Sequence, residues 1–444
     1  MTDTKQILQL NRFDASQSQL DAATQQLVDG RFKHFGASSV LFYQEPLTIA
    51  RAQGAYMYDT AGRAYLDLYN NVPCVGHCHP EVVAAIAEQA GTLATNSRYL
   101  YENLNAYAEA LLATFPAQLS NLVMTCTGSE ANDIALRMAS MHTGKQGIVV
   151  TETAYHGNTR AVMEVSPSSY KRGTPLPAHV RTIRAPNSYL LEEGQAVGAV
   201  LAKELQEAID ELNQAGFGFA ALLVDTVFSS DGVFTDPAGF LQAAALVTQK
   251  NGGLLIADEV QPGFGRTGDG MWCFARHGIT PDIVTLGKPM GNGYPMGGVV
   301  TRPELLDGFV RETGYFNTFG ANPVAAAAGH AVLKVLAQEK LIENANSVGG
   351  YLRHGLRNLA QKDARIGDVR GAGLFIGLEF SGADKSPDAA LATYIINAMK
   401  DEGILIGAAG AYGNILKIRP ALCFAKEQAE HFIQTLSHLL AKHG

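Results

Sequence analysis

The 444-residue sequence contains no apolar run approaching the roughly 20 residues that cross a bilayer. Its first stretch, MTDTKQILQLNRFDASQSQ, lacks the apolar segment of a secretory signal, so a cytoplasmic protein with no membrane partner is expected. No basic run stands out either. The formal charge is −8, from 34 Lys+Arg against 42 Asp+Glu, which argues against nucleic acid as a partner. Cysteine is scarce: Cys74, Cys78, Cys126, Cys273 and Cys423 are five, an odd and scattered number that suits free thiols and not a disulfide framework. There is no GxxxxGKS/T phosphate loop, and GAGLFIG (371–377) has the wrong glycine spacing for a dinucleotide fingerprint. Repeats and low-complexity segments are also missing.

What is present is an alternation of apolar, β-branched runs with helical patterns between about 120 and 300, the signature of a mostly parallel α/β sheet. The expected strands are 122–126, 147–152, 220–227, 253–260, 282–287 and 297–302; helices are expected over 201–216 and 237–253. Near-continuous apolar strands imply that both faces of the sheet are covered. After Pro323 come two long helical stretches, a strand-rich VRGAGLFIGLEF, a helix near 387–402, the short strand LKIRPALCF and a last amphipathic helix. A chain of this length exceeds what one core usually serves. The expected division is a large domain over 71–322 and a smaller α/β domain over 323–444, to which the segment 1–70 contributes.

Chemistry first shows in GLLIADEVQPGFGRTG (253–268), where an apolar strand ends in Asp258 and Glu259. A strand that ends in Asp-Glu either surfaces into water or holds a cationic partner, and ligands of open α/β sheets gather at the carboxyl ends of strands. TCTGSEANDIALRMA (125–139) reads as strand, turn and helix, with Gly128 and Ser129 where free N–H groups can cradle a phosphate; the plain alternative makes Ser129 only an N-cap. PDIVTLGKPMGNG delivers Lys288 at the mouth of another buried strand, where desolvation favours a nucleophilic amine; the plain alternative is a solvated lysine. CVGHCH gathers Cys74, His77, Cys78 and His79, but Gly76 and Pro80 mark a turn and no second ligand pair appears, so the reading is a substrate-side loop and no metal. Phosphate cradle, buried aspartate and strand-end lysine together describe one cofactor, pyridoxal 5′-phosphate, whose aldehyde takes a lysine and whose ring nitrogen takes an acid.

With GHCHPEVV, TGSEANDIALR, AYHG, LLIADEVQPGFGRTG, LGKPMGNG, NTFGANPVA and KIRPALCF in this order, the chain resembles the class III pyridoxal-phosphate aminotransferases of fold-type I, from about residue 30 to the C-terminus. Within them it resembles the subgroup of omega-transaminases, alanine–glyoxylate aminotransferase 2-like proteins and phospho-lyases. The resemblance implies a large domain with a seven-stranded, mostly parallel sheet plus a smaller domain from both termini. It implies that Lys288 forms the imine with the cofactor and that Asp258 keeps the pyridine nitrogen protonated. Gly128 and Ser129 would hold the phosphate, joined by Thr318 from the other subunit of a homodimer. Tyr155 and Val260 would face the two sides of the ring, with Gln261 near its hydroxyl. Arg419, with Lys417 two residues before it, stands where a carboxylate-binding cation is expected. A planar guanidinium suits that task better, and the plain alternative is a structural salt bridge. Tyr69, Asn71, Val72, Arg98 and Tyr101 are weaker pocket candidates, and His156 reads as structural. One departure concerns Asp225-Thr226, which replaces the family's usual Glu-Pro and puts the usual two-substrate arginine switch in question; the plain alternative is an ordinary strand-end carboxylate.

The first functional expectation is therefore a transaminase moving an amino group from an amine or amino acid, omega-type donors included, to a small keto acid such as pyruvate. The alternative is a phospho-lyase acting on an O-phosphorylated amino alcohol such as phosphoethanolamine. That chemistry needs extra cations for a second phosphate, for which Lys171 and Arg172 in SSYKRGTP are sequence candidates, the plain alternative being a solvated turn. Racemisation would need a second proton donor that the sequence does not reveal.

Overall fold

The structure is a computed structural model that describes residues 11–15, 18–171 and 173–443. Arg172 and most of the polar N-terminal stretch lie outside the described residues. Seven strands form the central sheet, in the spatial order Asn121–Thr125, Gly297–Thr301, Ile283–Leu286, Leu254–Asp258, Phe219–Asp225, Gly147–Thr151, Val180–Ile183. Every neighbouring pair is parallel except those made by Gly297–Thr301, which runs against both of its neighbours.

The apolar runs behave as a doubly covered sheet requires, because side chains alternate between faces. Ala221, Leu223, Leu254, Ile256, Ile283 and Val299 face one way, into a core shared with Ala131, Ile134 and Met138 of the helix Gly128–Thr143. Leu222, Val224, Leu255, Ala257, Val284 and Val300 face the other way, toward Leu201, Leu205, Ile209 and Leu212 of the helix Val197–Gln214. That helix begins four residues before the sequence suggests, since its N-cap Ala196 makes no side-chain hydrogen bond that would mark the start. The helix expected over 237–253 begins only at Gln242, because Pro237 and Gly239, the latter at φ +86°, hold the preceding residues in a turn.

Two four-stranded sheets flank this core. One joins Ile49–Gln53, Tyr56–Asp59 and Ala64–Asp67 to Ile404–Leu405 from far along the chain. The other is antiparallel, in the order Ile366–Ala372, Phe375–Phe380, Ile415–Ile418, Gly407–Ala409. In the strand Ile415–Ile418, Leu416 and Ile418 enter the apolar core. The period of two then turns Lys417 to the opposite face, and Arg419, two residues on, follows it.

Candidate active site

The turn Cys126–Gly128 leads from the edge strand into the helix Gly128–Thr143. Its N-cap is Thr127, whose hydroxyl accepts the Glu130 N–H at 3.1 Å, while the Glu130 carboxylate accepts the Cys126 N–H at 2.8 Å. Ser129 is therefore not the cap. Its Oγ instead accepts the N–H of Asn158 at 3.2 Å, tying the cradle to the loop that carries Tyr155. Backbones meet closely here: a Cβ on Gly157, which sits at φ +142°, would lie 2.5 Å from Ser129 Oγ, and one on Gly128 would lie 2.9 Å from a Val260 methyl.

The two carboxylates that end Leu254–Asp258 have opposite fates. Glu259 turns into the protein, where it accepts the Thr226 hydroxyl at 2.8 Å and the N–H groups of Phe274 and Cys273 at 2.8 and 3.0 Å. Burial pushes its carboxyl up to about 7. Asp258 faces the cavity. Its Oδ1 accepts the Val260 N–H at 3.0 Å, and its Oδ2 accepts Asn132 Nδ2 at 3.0 Å and the His156 imidazole at 2.7 Å. Since a carboxylate only accepts, His156 Nδ1 carries the proton, which leaves the buried Nε2 without a partner among the described residues. Asn132 is itself fixed, donating to the His156 carbonyl at 2.8 Å and accepting from Thr285 at 2.7 Å. His156 thus does more than fill space, and Asn132 and Thr285 escaped the sequence reading. The one signal for Asn132 was a polar side chain one turn into an otherwise apolar helix face.

Lys288 opens a short 3₁₀ turn after Ile283–Leu286. Burial lowers its amine from the ordinary lysine value, and the Asp258 charge partly opposes that. It lines two adjoining cavities. The first, about 320 Å³, is walled by Gly128, Ser129, Tyr155, Asp258, Val260 and Gln261, with Val72 and Asp225 at its border. The second, about 190 Å³, shares Tyr155, Gln261 and Lys288 and adds Tyr69, Lys417 and Arg419.

Arg419 has no carboxylate partner among the described residues, so it is not a structural salt bridge. Its Nε donates to the Tyr69 carbonyl at 2.7 Å and its Nη1 to Gln261 Oε1. Gln261 in turn donates to Ser229 Oγ at 2.5 Å. Asp225 is held by the Val227 and Ser229 N–H groups, both at 3.0 Å; burial, then the Asp258 charge, raise its carboxyl. Thr226, where the resemblance expects proline, supplies the hydroxyl that Glu259 accepts.

Other sequence candidates fall elsewhere. Thr318 is exposed and lines neither cavity. Arg98 stacks on Phe316 at 4.2 Å and Tyr101 donates to the Ala321 carbonyl at 2.7 Å, so both brace the segment around Thr318. Asn71 is buried and donates to the Gln261 carbonyl at 2.9 Å. In the CVGHCH loop, His77 meets Asp67 at 2.8 Å and His79 meets Glu339 at 2.9 Å, contacts that pin the loop to its surroundings. Lys171 is exposed and outside both cavities.

Residues 40–440 match the family described as aminotransferase class-III. The chain belongs to that family. The Drosophila melanogaster protein named alanine–glyoxylate aminotransferase 2-like is 41% identical over 417 residues, covering 91% of this chain and 84% of the fly protein. The Caenorhabditis elegans protein named ethanolamine-phosphate phospho-lyase homolog 1 is 37% identical over 436 residues, 94% of this chain and 93% of its own. Among solved structures, a phospholyase from Arthrobacter in complex with phosphoethanolamine superposes with a TM-score of 0.90 at 42% identity, over 94% of this chain and 99% of that one. Family membership implies pyridoxal 5′-phosphate as the cofactor. The residues fit it. A glycine-lined helix start suits a phosphate, a carboxylate fixed by three donors suits a ring nitrogen, and an amine whose pKa burial lowers suits an aldehyde.

Proposed function

We propose that this protein eliminates phosphate from a small O-phosphorylated amino alcohol of the phosphoethanolamine type. The observation that carries the reading is the pair Lys417 and Arg419, side by side on the wall of a cavity that also contains Lys288. A substrate carboxylate is satisfied by one guanidinium fork, whereas two cations on one wall match the charge of a phosphate dianion. The nearby carboxylate, Asp225, is already engaged by two backbone N–H groups. The names of the worm relative and of the Arthrobacter structure, with its bound phosphoethanolamine, support the same substrate class.

When bound, pyridoxal phosphate supplies an aldehyde that takes up the substrate amine and a ring that withdraws electrons from the adjacent carbon. In this reading Gly128 and Ser129 hold the cofactor's phosphate, and Tyr155 and Val260 bracket its ring. Asp258, oriented by Asn132, His156 and the Val260 N–H, holds a proton at the ring nitrogen. Gln261, fixed between Ser229 and Arg419, lies at the ring edge. The Lys288 amine would take the proton from the carbon beside the substrate nitrogen. Tyr69 and Val72 close the substrate side, with the Tyr69 carbonyl setting the orientation of Arg419. Thr318, with Phe316 and Phe319 exposed beside it, acts in the cavity of a second copy in a homodimer.

Amino transfer to a small keto acid is the second reading. It is favoured by Arg419, which alone can fork a carboxylate, and by relatives named aminotransferases. The sequence by itself ranks this reaction first; the paired cations reverse the order. Arg419→Ala separates the two. Losing a charge-assisted hydrogen bond costs about 1.5–3 kcal/mol, so KM for O-phosphoethanolamine should rise about 10–150-fold while the inhibition constant of unphosphorylated ethanolamine, which has no phosphate to expel, stays near its wild-type value. Equal effects on both amines would argue against phosphate recognition by this wall.

A further inference from the structure

We propose that Lys417 is the acid that protonates the departing phosphate. The inference rests on the elimination reading and adds to it a step that the cofactor residues do not supply. When the carbon–oxygen bond of a dianionic phosphomonoester breaks, the bonding electrons leave on oxygen and the group expelled is formally trianionic phosphate. That is a strong base and a poor leaving group unless a proton reaches it as the bond breaks. Lys288 is occupied with the opposite task of removing a proton from carbon.

Few groups on the second cavity can donate. Arg419 stays protonated at any working pH and serves only as a fixed charge. Burial raises the Tyr43, Tyr69 and Tyr155 hydroxyls above their usual range, Tyr43 is already turned toward the Ile406 carbonyl at 3.3 Å, and Ser230 offers only an alcohol, a far weaker acid than an ammonium. Lys417 remains. It is 7% exposed. Among the described residues its ammonium has no hydrogen-bond acceptor, and its strand neighbours across the sheet are Gly377 and Gly407, which offer no side chain. The Phe375 ring lies 5.8 Å from Nζ. A buried ammonium without a partner gives up its proton readily.

The charged groups around it act in the same direction. Burial, then Arg419 just past its strand and Lys288 from the 3₁₀ turn, push the Lys417 amine well below the usual lysine range, while Asp225 at the end of the strand Phe219–Asp225 and Asp231 in the loop after it oppose this only in part. A phosphate dianion arriving between Lys417 and Arg419 reverses the balance and draws a proton onto Lys417. The step then closes. The carbon–hydrogen pair becomes the carbon–carbon double bond, that proton goes to Lys288, the carbon–oxygen pair leaves on phosphate, and the Lys417 proton makes it hydrogen phosphate.

The test compares O-phosphoethanolamine with 2-aminoethyl hydrogen sulfate, whose sulfate leaves as a stable dianion and needs no proton. Lys417→Arg keeps a cation but cannot donate, and it should lower kcat for phosphate release by roughly 100-fold or more. It should also abolish the alkaline limb of the kcat–pH profile, with KM and sulfate release changed little; Lys417→Gln should lose both kcat and KM. A separate arm needs no turnover. Holoenzyme reduced with borohydride is titrated with inorganic phosphate in two buffers of different ionisation enthalpy, and the wild type should take up protons on binding where Lys417→Arg does not. Equal losses for phosphate and sulfate, or proton uptake that survives in Lys417→Arg, would overturn the assignment. A wild type that releases no phosphate from O-phosphoethanolamine would overturn the elimination reading itself.

Discussion

Replacing Gly157 by alanine tests whether the loop carrying Tyr155 and the helix start carrying Ser129 are built to touch. The new Cβ would lie 2.5 Å from Ser129 Oγ and 2.9 Å from Ser129 Cα, and the residue sits at φ +142°, where a side chain is strained. Backbone strain of this kind costs about 1–3 kcal/mol, and the overlap with Cα cannot be relieved by rotating a side chain. Either the loop or the cradle must move, so the cost falls on cofactor binding: affinity should drop about 5–150-fold at about 1.4 kcal/mol per decade. The assay is the dissociation constant for pyridoxal phosphate, from visible absorbance of protein stripped and then titrated. Gly194→Ala is the control, since Gly194 has φ +86° but nothing within 4 Å of its added Cβ. It should lower thermal stability slightly and leave cofactor affinity unchanged. Cofactor affinity in Gly157→Ala within about threefold of wild type, a difference of roughly 0.7 kcal/mol, would refute the close-packed cradle.

Asp258→Asn removes the charge facing the ring nitrogen; breaking a buried ion pair costs about 3–5 kcal/mol, so kcat should fall roughly 150- to 5,000-fold with the cofactor still bound, and a fall under tenfold would contradict the pairing. Glu259 gives a pH effect of definite sign: its buried carboxyl holds a proton to about 7 against an ordinary 4.5, so stability is present at low pH and lost as pH rises between these values. The stability of wild type minus that of Glu259→Gln, followed by urea unfolding, should therefore decline by about 3 kcal/mol across this window, and a flat or rising difference would count against it. Leu100, fully exposed, and Phe319, 71% exposed, are expected at the interface that brings Thr318 to a second cavity. Leu100→Asp with Phe319→Asp should give monomers in sedimentation that bind cofactor weakly; a wild type that is monomeric with cofactor bound would remove the dimer from the account.

Much of the architecture could be read from the chain because its physical causes are local. Six of the seven central strands are the expected apolar runs, and both helices after Pro323 appear at Pro323–Gln338 and Leu341–Ala360; Val180–Ile183, with Arg181 and Thr182 between its apolar ends, carries no such signal. Asp258 and Lys288 stood out because charge at the end of a buried strand needs a reason. What stayed hidden depends on contacts between distant segments. Asn132, His156 and Thr285 come from a helix, a loop and a strand, and only the fold makes them one network around Asp258. Helix starts without a capping side chain, as at Val197, leave no local mark. Lys171, one of the sequence candidates for binding a second phosphate, is exposed and lines neither cavity. The alternation of the strand Ile415–Ile418 instead puts Lys417 and Arg419 on the cavity wall.

The most direct test of the proposed reaction is product stoichiometry from purified holoenzyme given O-phosphoethanolamine, with pyruvate added to half of the samples. Elimination predicts phosphate, ammonia and acetaldehyde in equal amounts, no alanine, and a visible spectrum that returns to its starting form with or without pyruvate. Alanine formed from pyruvate without phosphate release would contradict the account and identify amino transfer as the reaction of this site.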